Sequence, residues 1–127
     1  MPLLTILVED SATIRESLIP AMMEFADAEI VAVAETAAQG IAALKKHAGE
    51  WRLAVVDVFL KEGNGLDVLR AVGERNGRQR VVVLTNYATA VVARQALSKG
   101  ADALFDKSVD LDGFFDFCIA HRLALHL

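Results

Sequence analysis

Scarcity sets the first limits on this chain. One cysteine among 127 residues, Cys118, leaves no internal disulfide, so a fold held by cross-links is excluded. Two prolines, with no tract rich in serine, glycine or glutamine, exclude a disordered low-complexity chain. No apolar run approaches the roughly 18 residues needed to span a bilayer. The 13 basic residues are scattered, and the net charge is -4. Without a basic stripe to neutralise phosphates, direct binding to nucleic acid is not expected. His47, His121 and His126 lie near predicted helix ends without metal-ligand spacing and read as surface residues, whereas Cys118 reads as core. With no charged-then-apolar leader at Met1-Pro2-Leu3, the expected setting is a reducing cytoplasm, without membrane insertion.

Apolar residues make up 54% of the chain, enough for a substantial core at this length. They fall in short runs that alternate with helical patterns. Leu3 to Val8 reads as a strand, followed by a helix from Ser11 to about Phe25 with Ser11 as N-cap. Glu29 to Ala34 is a second strand and Thr36 to His47 a second helix, with Gly49 just past its end. Leu53 to Val58 is a third strand, and a loop with Gly63 and Gly65 leads to a helix from about Leu66 to Arg75. Arg80 to Thr85 and Thr89 to Lys99 form the fourth strand and helix. Ala103 to Phe105 is a brief fifth strand before a last helix from about Leu111 to Leu125. No repeat, linker or boundary interrupts the pattern, so residues 1–127 read as a single domain with no effector domain in this chain.

Five strands alternating with five helices predict an α/β fold, a parallel sheet with helices on both faces. The third and fourth strands are apolar at consecutive positions, as strands covered on both faces are. In such a sheet the working site lies beyond the carboxyl ends of the strands, where strand order reverses. The first strand ends at Glu9-Asp10, the third at Asp57 and the fourth at Thr85; the fifth runs towards Lys107. Taken singly, an acidic pair after a strand is a helix N-terminal charge, and Thr85 and Lys107 are ordinary. Asp57 is different, because a carboxylate inside the apolar run Ala54 to Leu60 is costly unless paired or metal-bound. Three carboxylates together would force one to take a proton unless a cation sat among them. Hard oxygen donors in that number suit magnesium, and a carboxylate beside such an ion can attack phosphorus. Lys107 and the Thr85 hydroxyl would neutralise the phosphoryl oxygens.

Val8-Glu9-Asp10-Ser11, Val56-Asp57-Val58 with Gly65 eight residues on, Val83-Leu84-Thr85 and Gly100-Ala101-Asp102 with Asp106-Lys107 resemble the ordered landmarks of the response-regulator receiver family. The resemblance covers about Leu3 to Leu125. It implies a flavodoxin-like doubly wound sheet of order 2-1-3-4-5. Glu9 and Asp10 would be the acidic metal pair, and Asp57 would be both phosphoacceptor and metal ligand. The backbone carbonyl of Phe59 would be a further ligand, Thr85 the switch hydroxyl and Lys107 the lysine that contacts the phosphoryl group. The ion would be Mg2+, with Mn2+ as a substitute. The donor would be a histidine kinase or histidine phosphotransfer protein, followed by slow self-catalysed hydrolysis; the role is signalling rather than enzymatic.

Several positions depart from the family pattern. Ser108 follows Lys107 where proline is common, which leaves the Lys107–Ser108 bond open between cis and trans. Leu104 stands where the switch aromatic is usual, and Phe105 beside it points to the opposite face; Tyr87 is the candidate replacement. Asn86 is bulkier than the usual small residue after the switch hydroxyl, and Lys61 replaces a frequent proline. The last helix is apolar at Phe114, Phe115, Phe117, Cys118, Ile119, Leu123 and Leu125, with Leu127 beyond it, wider than one narrow stripe. That reads either as a broad core-facing surface or as a surface for a homodimer or a downstream protein target. The latter would lie on the fourth helix, fifth strand and fifth helix.

Other readings of the same fold fare worse. A flavin or nucleotide protein would want a hydroxyl- or glycine-rich loop after the first strand, where Glu9-Asp10 would repel phosphate. An aspartyl phosphohydrolase commonly has a second acid two residues after the nucleophile, and Phe59 occupies that place. The serious rival is a receiver-like protein-interaction module that is not phosphorylated.

Overall fold

The structure is a computed structural model, describing residues 2–126. Met1 and Leu127, the latter counted above with the apolar residues of the last helix, lie outside the described residues. Ten elements alternate: β1 (Leu3–Val8), α1 (Ala12–Ala26), β2 (Ala28–Ala34), α2 (Ala37–Lys46), β3 (Leu53–Val56), α3 (Gly65–Val72), β4 (Arg80–Thr85), α4 (Ala90–Ser98), β5 (Ala103–Asp106) and α5 (Leu111–Ala124). The five strands form one parallel sheet in the order β2-β1-β3-β4-β5, as the alternation predicts.

Side chains alternate across a strand, so the sheet feeds two cores. Ile6, Val8, Ala54, Val56, Val81 and Val83 pack against Leu44 of α2, Val68 and Leu69 of α3 and Ala96 of α4. Leu3, Leu7, Leu53, Val55, Val82 and Leu84 pack on the other face against Leu18 and Met22 of α1 and Phe114 and Cys118 of α5. The consecutive apolar positions of β3 and β4 follow from this double coverage. Every helix starts on a side-chain cap: Ser11, Thr36, Asn64, Thr89 and Asp110 each accept a backbone N–H of the first turn. A cap of this kind contributes about 1 kcal/mol.

Three expectations need correction. β3 stops at Val56 rather than Val58, which places Asp57 on the loop just past the strand. α3 ends at Val72 rather than Arg75, because Gly73 adopts a φ of 57° and turns the chain away. His121 is not a surface residue: it is buried, with Nε2 2.8 Å from the carbonyl oxygen of Arg52. Cys118 is buried as expected, and its thiol is pushed up to about 12 by that burial. On α5, Phe114 is fully buried and Phe115, Phe117 and Ile119 pack partly against the same core, whereas Leu123 is exposed. Most of the apolar width of α5 therefore faces the core.

Candidate functional site

The sheet register gathers the site. Val8 pairs with Val56, so Glu9 and Asp57 emerge side by side where strand order reverses. Thr85 pairs with Asp106, which sets Lys107 one residue further along the same edge. The Asp57 N–H donates to the Val8 carbonyl at 3.0 Å, extending the ladder one bond past the strand and fixing the backbone beneath the carboxylate. The following loop folds back, with the Gly65 N–H on the Val58 carbonyl at 2.8 Å. A Cβ at Gly65 would collide with the Asp57 carbonyl oxygen, so this turn requires glycine because of close approach.

Carboxylate oxygens of Glu9, Asp10 and Asp57 lie within 4.8 Å of one another. Lys107 Nζ donates to Glu9 Oε1 at 2.6 Å and to Asp57 Oδ2 at 2.8 Å. Glu9 is only 2% exposed. Burial pushes its carboxyl above the usual range, outweighing the hydrogen bonds from Lys107 and the Ser11 N–H. Burial also pulls on Lys107, but its hydrogen bonds to Asp57 and Glu9 prevail and hold the ammonium above the ordinary lysine value. Three carboxylates thus face one firmly charged ammonium. The uncompensated negative charge and the all-oxygen donor set fit a small divalent cation.

The sequence-predicted residues are brought together unequally. Glu9, Asp10, Asp57 and Lys107 form one cluster. Thr85 is fully buried at the end of β4; its carbonyl accepts the Lys107 N–H at 3.0 Å and its hydroxyl oxygen accepts the Tyr87 N–H at 3.2 Å. Phe59 donates its N–H to Asp57 Oδ1 at 3.4 Å and pairs with Asn64 in an isolated antiparallel bridge. Its exposed ring meets that of Tyr87 edge-on, with centroids 4.6 Å apart. Leu104 packs with the helix α2–α4 core and Phe105 with the opposite one, against Phe114 and Phe117. No peptide bond among the described residues is cis, so Lys107–Ser108 is trans.

Sequence reasoning missed a ring of support around this cluster. Arg15 Nη1 donates to the Glu9 carbonyl at 2.7 Å, and Glu35 accepts both Arg15 Nη2 at 3.1 Å and Lys61 Nζ at 2.8 Å. These partners are 20 and 26 residues apart, with no spacing to announce them. A groove of about 380 Å³ opens beside the cluster, lined by Ile14, Leu18, Leu84, Asn86, Lys107 and Phe115 among others. A second cavity of about 220 Å³, lined by Arg52, Arg78 and Arg122, lies at the amino ends of the strands, away from the acids.

A doubly wound parallel sheet with an acid cluster and a lysine at its switch point places the chain among α/β proteins whose working site lies beyond the carboxyl ends of the strands. Residues 5–116 match the model of the response regulator receiver domain, and the chain belongs to that family. It is 36% identical over 93 residues to the photosynthetic apparatus regulatory protein RegA of Rhodobacter capsulatus, covering 73% of this chain and 50% of that protein. It is 38% identical over 82 residues to the acid tolerance regulatory protein ActR of Rhizobium meliloti (strain 1021), covering 65% of this chain and 41% of that one. The chain thus spans about half the length, or less, of these curated relatives. In fold it resembles the receiver domain of AraT, a response regulator from Geobacillus stearothermophilus, with a TM-score of 0.80 at 22% identity over 99% of this chain and 97% of that one. It likewise resembles a chain in the structure of the CheX–CheY–BeF3–Mg2+ complex from Borrelia burgdorferi, with a TM-score of 0.76 at 15% identity over 100% of this chain and 91% of that one. None of the described helices is long and apolar enough to cross a membrane.

Proposed function

We propose that this receiver domain accepts a phosphoryl group on Asp57, taken from a histidine kinase or histidine phosphotransfer protein of a two-component system or phosphorelay. One observation supports this reading above all. Carboxylates from two separate strand ends converge within 4.8 Å, and a buried lysine bridges two of them. Glu9, Asp10, Asp57 and the backbone carbonyl of Phe59 would hold Mg2+, or Mn2+ in its place. Bound there, the ion would neutralise negative charge on the phosphoryl oxygens. An Asp57 oxygen attacks phosphorus; the new P–O bond forms as the P–N bond of the donor histidine breaks, and the imidazole leaves. Lys107 balances charge on a second oxygen, and the Thr85 hydroxyl donates to a third. Water later hydrolyses the acyl phosphate slowly. The role is a switch rather than turnover of an external substrate, in a cytoplasmic setting.

The phosphorylated domain would act through the face of α4, β5 and α5, where Val91, Leu97 and Leu111 are exposed. Its partner would be a downstream protein or a second copy of the chain. The test is direct. With Mg2+ and acetyl phosphate, mass spectrometry of the wild type should show one added phosphoryl group, and Asp57→Asn none. A wild type that stays unmodified, also with cognate kinases, would leave the interaction-module reading in its place. Sedimentation with and without beryllofluoride reads the homodimer separately; a monomer in both states removes it.

A further inference from the structure

Two of the departures from the family pattern touch each other. Asn86 follows Thr85 on the loop after β4, and Ser108 follows Lys107 on the loop after β5. The Ser108 hydroxyl donates to Asn86 Oδ1 at 2.9 Å. Beside this bond the Lys107 N–H donates to the Thr85 carbonyl at 3.0 Å, and the Ser108 N–H donates to Asp106 Oδ1 at 2.7 Å. The Lys107 backbone is therefore held from both sides, between the residue before it and the loop across from it.

We propose that the Asn86–Ser108 hydrogen bond is a clasp that positions Lys107 over Asp57. This rests on the reading of Asp57 as phosphoacceptor. A lysine side chain is long and flexible, and its ammonium reaches a fixed point only if its Cα is fixed. Proline after the lysine would restrict the backbone through its ring. Serine has no such ring, so hydrogen bonds do the holding here, and the Lys107 and Ser108 N–H groups supply two of them. The side-chain bond across to Asn86 adds the tie between the two loops. Asn86 and Lys107 also line one groove between α1 and α5, so the two loops meet on the same side of the sheet. Ser108 and Asn86 make no hydrogen bond to the acids among the described residues; they are positioning residues acting through Lys107.

The acids hold the cation and the clasp holds the lysine, so the two can be separated by experiment. With acetyl phosphate at saturating Mg2+, Ser108→Ala and Asn86→Ala should each slow phosphorylation by about 3- to 10-fold, the range expected for the loss of one neutral hydrogen bond. Mg2+ affinity should stay at the wild-type value. The double variant should be no slower than the slower single one, since both remove the same bond, and Ser108→Thr should retain the wild-type rate. Additive losses, unchanged rates, or a parallel fall in Mg2+ affinity would overturn the clasp. Amide exchange gives a readout without chemistry: the Lys107 N–H should exchange faster in Ser108→Ala. Unchanged exchange overturns the clasp even in a protein that is phosphorylated. A wild type that takes no phosphoryl group, with faster exchange in the variant, overturns the phosphoacceptor reading and keeps the clasp.

Discussion

Lys107 bridges two carboxylates, and its side chain is only 7% exposed, against 3% for Glu9 and 9% for Asp57. Removing one partner of a buried ion pair leaves the other charge uncompensated, which costs about 3–5 kcal/mol. Lys107→Ala should therefore lose about 3 kcal/mol of unfolding free energy in urea without divalent ions. Added Mg2+ should recover most of that loss, because a cation among the same oxygens replaces the missing charge. An equal loss with and without Mg2+ would mean that Lys107 acts through packing alone. At this scale the sequence was most legible where a residue terminates a strand: Glu9, Asp10, Asp57 and Lys107 each follow one. It was illegible for Arg15, Glu35 and Lys61, whose meeting depends on how α1 and two loops pack.

Among the elements, strands were legible because a doubly covered parallel strand must be apolar throughout, while element ends were less so. Glu74 and Arg75 are good helix formers, yet α3 stops before them at Gly73, and Arg75 reaches across to the Gly100 carbonyl and Asp102 instead. α5 hid its histidine for a related reason. Its apolar face is wide, and His121 sits on it against the residue before β3, 2.8 Å from the Arg52 carbonyl. Burial is the main cause that lowers His121 below its usual value of 6.5, and the Arg80 charge adds to it; hydrogen bonding to the Arg52 and Arg78 backbone and the charge of Asp102 oppose. A lowered folded-state value means that the unfolded chain takes up the proton first. Its contribution to stability is thus present above about pH 6.5 and lost as pH falls through the lower folded value. The melting temperature of the wild type should drop between pH 7 and 5 relative to His121→Gln. Parallel pH profiles for the two proteins would show that His121 takes up its proton equally in the folded and unfolded states. Glu9, whose value is raised, pulls in the opposite direction at lower pH, so the comparison between proteins carries the result rather than the wild-type slope.

Only the folded molecule brings Glu9, Asp10 and Asp57 within reach of one ion, because the first two follow β1 and the third follows β3. An ion that binds the folded state and not the unfolded chain stabilises it by mass action. At a Mg2+ concentration ten times its Kd the gain is about 1.4 kcal/mol, or about 5 °C in melting temperature for a domain of this size. Asp10→Asn separates this from a general salt effect. Asp10 is not part of the Lys107 ion pairs, so neutralising it should leave the metal-free fold intact while removing one oxygen charge from the cluster. The variant should melt near the wild type without divalent ions and lose most of the Mg2+ shift. A shift of undiminished size in Asp10→Asn would place the ion elsewhere on the surface, and the gathering of acids by the sheet register would then have no bearing on metal binding.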